Sequence, residues 1–284
     1  MEKIAVVTDT GSNLSFAQAK ELGIYLLPLQ ITIDETTYQD TLEISTQDIY
    51  NELANGKMPK TSMAAYQKIY DLFEELKKDY DTIFAVPLTN GLSTNASTMQ
   101  SIARELEMNV HVIDMYATCA LEKHVAIWIK KLVDEHKSSE EILKIIQPAI
   151  DESNSLILVK NLQHLKRGER LTPMAAALAG LLKIYPVLHI NKSTEGRIDV
   201  LNKVRTEKRA DAYAIDKIMD DIDIQHTHIY IIHSNFLEGA NHFKKCFIEK
   251  GVPEQNIHID YISSVIAVHT GLGCIAIQYI REEN

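Results

Sequence analysis

Three observations predict an α/β fold in two parts. Short apolar runs alternate with amphipathic helical segments through the first half of the chain. Near residue 155 the pattern changes to longer strand candidates mixed with helices. The composition, 45% hydrophobic and 24% charged, is that of an ordinary globular protein. Repeated strand–helix units imply a parallel sheet covered by helices. The expectation is an N-terminal parallel-sheet α/β domain over 1–155 and a C-terminal α+β domain over 156–284. At 284 residues the chain suffices for one large or two ordinary domains. Neither an internal repeat nor linker-like composition marks the boundary.

The elements follow in order. Lys3–Thr8 is a strand with a polar exit. Ser15 and Gln18 fit a capping box, and Gly23 stops the helix they open. Tyr25–Ile33 and Thr36–Tyr38 read as strands about the turn at Asp34-Glu35. Ser45 caps a second helix that ends near Gly56. Over Ala64–Lys78, Tyr66, Ile69, Tyr70, Phe73 and Leu76 recur at helical spacing. Thr82–Pro87 is a strand, Thr94–Leu106 a helix, Val110–Asp114 a strand, and Leu121–Glu135 and Glu140–Ile150 helices. In the second half, Ser155–Val159, Val187–Asn191, Asp199–Val204, Ile229–His233 and His258–Tyr261 are strand candidates. Pro173 at a first helical position opens Met174–Leu182. Arg209–Asp221 and Leu237–Lys250 are helices, and a last helix is expected from roughly Val268 to Tyr279.

Charge and cysteine use narrow the function classes. The net charge of −10 disfavours a protein whose main task is gripping nucleic acid. Cys119, Cys246 and Cys274 lie far apart, forming neither a disulfide framework nor a metal pair, which suits a reducing cytosol. The apolar run Ile4–Val7 is too short for a signal-peptide core. Met174–Ile190, interrupted by Lys183 and Pro186, falls short of the roughly 20 apolar residues that span a bilayer. A cytoplasmic protein with no stable membrane insertion is expected. Residues 160–209 carry eleven Lys and Arg against four acids in an otherwise acidic chain. That basic field attracts an anionic ligand or an acidic partner surface, unless it is only a set of solvated faces.

Four motifs bear on chemistry. Asp9-Thr10-Gly11-Ser12-Asn13 follows a strand at the carboxyl edge of a parallel sheet, where ligands collect; it reads equally as a capped turn. Lys60-Thr61-Ser62 lacks the glycines of a nucleotide loop, leaving two hydroxyls at a helix start that can bind a carboxylate or serve as a cap. Gly91-Leu92-Ser93 resembles the start of a nucleophile elbow, although the second glycine is Asn95. Asp260 and His269 stand in the chain order a serine hydrolase needs, so Ser93 reads as nucleophile, cap or binding group. His269-Thr270-Gly271-Leu272-Gly273 sets a histidine beside two glycines, a pattern for close approach to a ligand. The other histidines, including His226 and His228, lack metal-ligand spacing, and no metal is expected.

Taken together, these marks resemble the bacterial DegV family of fatty-acid-binding proteins. The resemblance rests on Val7-Thr8-Asp9-Thr10, Pro59-Lys60-Thr61-Ser62, Gly91-Leu92-Ser93, Val112-Ile113-Asp114, Leu165 to Leu171, Lys203-Val204-Arg205 and Ala267 to Gly273. It implies two domains with a long-chain fatty acid between them. It implies that Thr61, Ser93, Arg170 and His269 surround the head group, with Ser62, Asn95 and Thr270 beside them. A buried carboxylate needs such donors, and its tail needs an apolar tunnel worth about 0.8 kcal/mol per buried CH₂. The apolar helix Met174–Leu182 is the expected tunnel wall. The chain departs from the family pattern at Thr94-Asn95-Ala96, where Gly-Thr-Tyr is usual, at Glu169, where glycine is usual, and at Met115, where serine is usual. The resemblance also implies a partner, a separate ATP-dependent fatty-acid kinase that forms acyl-phosphate for phospholipid synthesis. The segment holding Lys203, Arg205 and Arg209 would face that kinase. The chain itself is expected to be a carrier with no cofactor and no catalytic residue, the hydrolase reading through Ser93, Asp260 and His269 being the alternative.

Overall fold

A computed structural model describes residues 2–181 and 183–282. The first part runs β1 (Ile4–Asp9), α1 (Phe16–Leu22), β2 (Tyr25–Leu27), β3 (Gln30–Ile33), β4 (Thr36–Gln39), α2 (Thr46–Ala54), β5 (Lys60–Ser62), α3 (Tyr66–Leu76), β6 (Thr82–Val86), α4 (Asn95–Glu105), β7 (Asn109–Val112), α5 (Ala120–Asp134) and α6 (Ser139–Glu152). The second runs β8 (Asn154–Leu158), α7 (Leu162–Arg167), α8 (Pro173–Leu178), β9 (Tyr185–Ile190), β10 (Asp199–Val204), α9 (Glu207–Asp221), β11 (Thr227–His233), α10 (Leu237–Glu249), β12 (Ile257–Tyr261), α11 (Ser264–Thr270) and β13 (Ile275–Arg281).

The predicted α/β class is found. β2-β1-β6-β7 form a wholly parallel sheet. Its two central strands, β1 and β6, are buried on both faces, as crossover helices require. Ile4 and Val6 of β1 pack with α5 and α6, while Ala5 and Val7 pack with α3 and α4. A small antiparallel sheet, β4-β3-β5, stands beside it. The capping boxes at Ser15 and Ser45 form, closed by Gln18 and Asp48.

The second sheet has the order β10-β9-β8-β13-β11-β12, antiparallel except for the β11–β12 pair. Leu156, Ile229, Ile231 and Ile277 face α9 and α10. On the other face Ile157, Leu188, Ile232 and Ala276 share a core with Tyr50 of α2 and Ala120 of α5. That face therefore looks toward the first part of the chain. Tyr50 fastens the two: its hydroxyl reaches Ile262 O at 2.6 Å and His233 O at 3.3 Å.

Three expectations need correction. No helix spans Val268–Tyr279; α11 ends at Thr270 and β13 follows. A strand buried on both faces reads as a continuous apolar run, and its period does not distinguish it from a buried helix. Lys60–Ser62 is an edge strand and not a helix start; α3 begins at Tyr66 with no side-chain cap. The apolar helix at Met174 spans only Pro173–Leu178, with Ala175 and Leu178 inward and Met174 54% exposed. Leu182, its expected end, lies outside the described residues. Among the described residues, no helix is long and apolar enough to cross a membrane, and no group of three or more His, Cys, Asp or Glu is arranged to hold a metal.

The Tyr50 fastening generates a prediction. Tyr50→Phe keeps the ring and strands a buried carbonyl, which costs about 1–3 kcal/mol. The urea unfolding midpoint should drop with the slope unchanged; an unmoved midpoint would show the hydroxyl to be idle.

Candidate functional site

Six of the seven sequence-nominated residues line one cavity of about 470 Å³ between the two parts: Thr61, Ser62, Ser93, Arg170, His269 and Thr270. They come from four places in the chain. Edge strand β5, paired with β3 through Thr61↔Ile31, carries Thr61 and Ser62. The turn from β6 to α4 carries Ser93, the turn after α7 carries Arg170, and the end of α11 carries His269 and Thr270.

Thr61 Oγ1 and His269 Nε2 are 2.7 Å apart, a hydrogen bond joining the two parts of the chain. The imidazole is half-buried. Desolvation, reinforced by the positive charge of Arg170, pushes its pKa down to about 3, so the ring is neutral at physiological pH. A methyl group on Gly168 would lie 2.6 Å from His269 Nδ1, so only glycine lets the α7 turn pass the ring. The next residue, Glu169, lines the cavity with φ +59°, a left-handed backbone at a non-glycine residue. Arg170 follows; its guanidinium donates to Gly168 O at 2.7 Å and weakly to Leu92 O at 3.4 Å. Three of its five N–H donors have no protein partner among the described residues.

Ser93 Oγ accepts from Asn95 N at 3.1 Å, which leaves the serine hydrogen uncommitted among the described residues. The turn that presents it is tightly held. Gly91 passes so close to the backbone of Gly196 that a methyl group there would lie 2.1 Å from the Gly196 carbonyl carbon. Asn95 itself does not line the cavity; it is fully buried and its Nδ2 donates to Asp9 Oδ2 at 2.7 Å. Ser62 bonds Gln30 across the small sheet, and the Thr270 hydroxyl is spent on Ile266 O of its own helix.

The Asp9–Asn13 stretch lies outside the cavity. Asp9 accepts from Gly11 N, Leu88 N and Asn95 Nδ2, so the capped-turn reading holds there. Nor do the two terminal glycines approach the cavity: methyl groups on Gly271 and Gly273 would meet the His164 ring and the Lys160 stem. The hydrolase constellation is not assembled. Asp260 is engaged by Lys123 and Asn13, His269 Nε2 by Thr61, and among the described residues no hydrogen bond joins Ser93, His269 and Asp260. Lys203, Arg205 and Arg209 are exposed and outside the cavity lining.

Behind the polar cavity lies a narrower one of about 30 Å³, and the two share Leu92, Ile198, Ile266 and Thr270. Its walls are mainly isoleucine, including Ile157, Ile190, Ile232 and Ile262. The described residues of the expected wall, 174–181, line neither cavity, because α8 packs against β10 at the edge of the sheet. Sequence reading missed these isoleucines: each looks like ordinary core, and only the strand order β9-β8-β13-β11-β12 gathers them.

Comparison with known proteins places the fold in a family. A family model described as "Uncharacterised protein, DegV family" matches residues 3–282. A DegV domain-containing protein of Halalkalibacterium halodurans is 30% identical over 100% of both chains. Among solved structures, a fatty acid binding DegV family protein from Streptococcus agalactiae superposes with a TM-score of 0.91 at 29% identity, covering 100% of both chains. DegV from Bacillus subtilis, described as a fatty acid binding protein, gives a TM-score of 0.86 at 26% identity, covering 99% of this chain and 100% of that one. With its two-part fold, its converging polar cavity and a match along nearly its whole length, this chain belongs to the DegV family.

Proposed function

We propose that this protein binds a long-chain fatty acid and presents its carboxylate to a separate ATP-dependent kinase that forms the acyl-phosphate. One observation carries the reading: Thr61, Ser93, Arg170 and His269, scattered over 208 residues, meet at one cavity that opens inward onto an isoleucine-lined one. Both structural relatives named above are described as fatty acid binding.

The chemistry follows from the donors. A neutral His269 that donates Nε2–H to Thr61 Oγ1 turns the threonine hydrogen toward the cavity. The Ser93 hydroxyl and the free edge of Arg170 supply further donors. A carboxylate in such a site exchanges water for charge-assisted hydrogen bonds, which offsets its desolvation. The tail enters the isoleucine-lined cavity, which widens to take it, and gains by leaving water. Solvent extraction of purified protein should yield a fatty acid, and Thr61→Val should weaken palmitate binding about tenfold, the worth of one hydrogen bond to a charged group. Absence of bound lipid together with no uptake of palmitate or oleate would refute the proposal.

The same histidine gives the protein a pH signature. With a folded pKa near 3 against about 6.5 unfolded, only the unfolded chain takes up this proton between those values. Stability from this group is therefore present above about pH 6.5 and declines as pH falls. Urea midpoints measured from pH 6.5 to 4.5 should fall more steeply for wild type than for His269→Gln; parallel slopes would contradict a neutral buried ring.

The exposed Lys203, Arg205 and Arg209 act on the partner in this reading. Rim charges govern encounter rate and salt dependence more than affinity. Arg205→Ala should slow acyl-phosphate formation by the kinase, less so as salt rises, and leave palmitate affinity unchanged when kinase is absent. A large loss of palmitate affinity in that mutant would assign Arg205 to the ligand instead.

A further inference from the structure

Resting on the fatty-acid reading, we propose that Gln278 is the floor of the acyl tunnel and sets the longest chain the protein accepts. Ala276 and Gln278 stand along one face of β13, with Cys274 immediately before the strand, and all three line the inner cavity. Cys274 lies at the end nearer the polar site, four residues after Thr270, which lines both cavities. Gln278 lies four residues further along the strand, about 14 Å away at the rise of an extended chain. The apolar lining ends there, where Gln278 stands with Thr118 and Ser155.

This floor is rigid. Gln278 is 1% exposed, and its amide makes four hydrogen bonds. Oε1 accepts from Ala120 N at 3.1 Å and Leu121 N at 3.3 Å; Nε2 donates to Thr118 O at 2.9 Å and Ser155 Oγ at 3.0 Å. Both lone pairs and both hydrogens are thus engaged, the full capacity of a primary amide. The two backbone donors open α5, whose N-cap residue Cys119 gives no side-chain cap of its own. A terminal methyl can rest against this amide. A chain longer by one or two carbons must either break buried hydrogen bonds or leave its head group short of Ser93 and Arg170. The isoleucines of the walls yield by side-chain movement; a fully bonded amide on a central strand does not. The far end of the tunnel is therefore a hard stop, whereas its width is adjustable.

The test is a series of saturated fatty acids of about 12 to 20 carbons, with dissociation constants measured for wild type, Gln278→Ala and Gln278→Asn. Wild type should show an optimum, with affinity falling about tenfold or more once the chain exceeds it. Gln278→Ala removes the floor and should move that fall to chains about two carbons longer. Should the alanine variant unfold for want of the α5 cap, Gln278→Asn keeps an amide, draws the floor back by one methylene, and should move the fall in the same direction by a smaller step. Folded variants that bind fatty acid with the wild-type length profile overturn the assignment of Gln278 alone. Failure of wild type to bind any member of the series overturns the fatty-acid reading beneath it.

Discussion

A pair of carboxyl groups with no access to water underlies the geometry of the candidate site. Asp9 and Glu122 are both 0% exposed. Desolvation raises the proton affinity of each, and more strongly that of Glu122, where the neighbouring Asp9 charge adds to it. Burial and mutual repulsion disfavour both acids being ionised at once. The Asp9 carboxyl group gathers the N–H groups of Gly11 and Leu88 and the Asn95 amide at 2.7 to 2.9 Å. The end of β1, the exit of β6 and the start of α4 are thus drawn to one carboxyl group, and the turn carrying Ser93 is held between the last two.

What is built on that anchor is a site with two kinds of wall. The polar end is assembled from hydrogen-bonded turns and an edge strand whose positions are fixed by Thr61–His269, Gly91 against Gly196 and Gly168 against the imidazole. The inner end is one face of the six-stranded sheet, aliphatic and packed without directional bonds until Gln278. A ligand with one charged end and one long apolar end matches this division.

The sequence showed much of the polar end and little of the apolar one. Thr61, Ser93 and His269 were legible in local motifs, hydroxyls beside turns and a histidine beside glycines, whereas Arg170 and the grouping of the four came from the family resemblance. Asn95 was misplaced, since its partner Asp9 lies 86 residues earlier and nothing local signals the pairing. The tunnel wall was assigned to the most apolar stretch, Met174–Leu182, whereas the inner cavity is lined by Ile157, Ile190 and Ile232 on three strands. Single inward isoleucines on separate strands carry no signature until the strand order is known. The same burial on both faces disguised β13 as a helix. Glu169 is the reverse case: its positive φ explains why the family pattern favours glycine there, and the chain retains the conformation without the residue that suits it best.

Strand β13 also has a bearing on how the polypeptide is made. Ile280 packs in the core formed by β1, β6, α5 and α6, and Gln278 supplies the acceptor for the first backbone groups of α5. Both come from more than 140 residues beyond α5's first turn. A chain emerging from the ribosome can therefore assemble its parallel sheet early but cannot close the α5 side of that core. Until β13 arrives, the face of α5 that carries Trp128 and Ile129 lacks part of its cover. The parallel-sheet layer is thus completed by a strand made more than 140 residues after α5 begins.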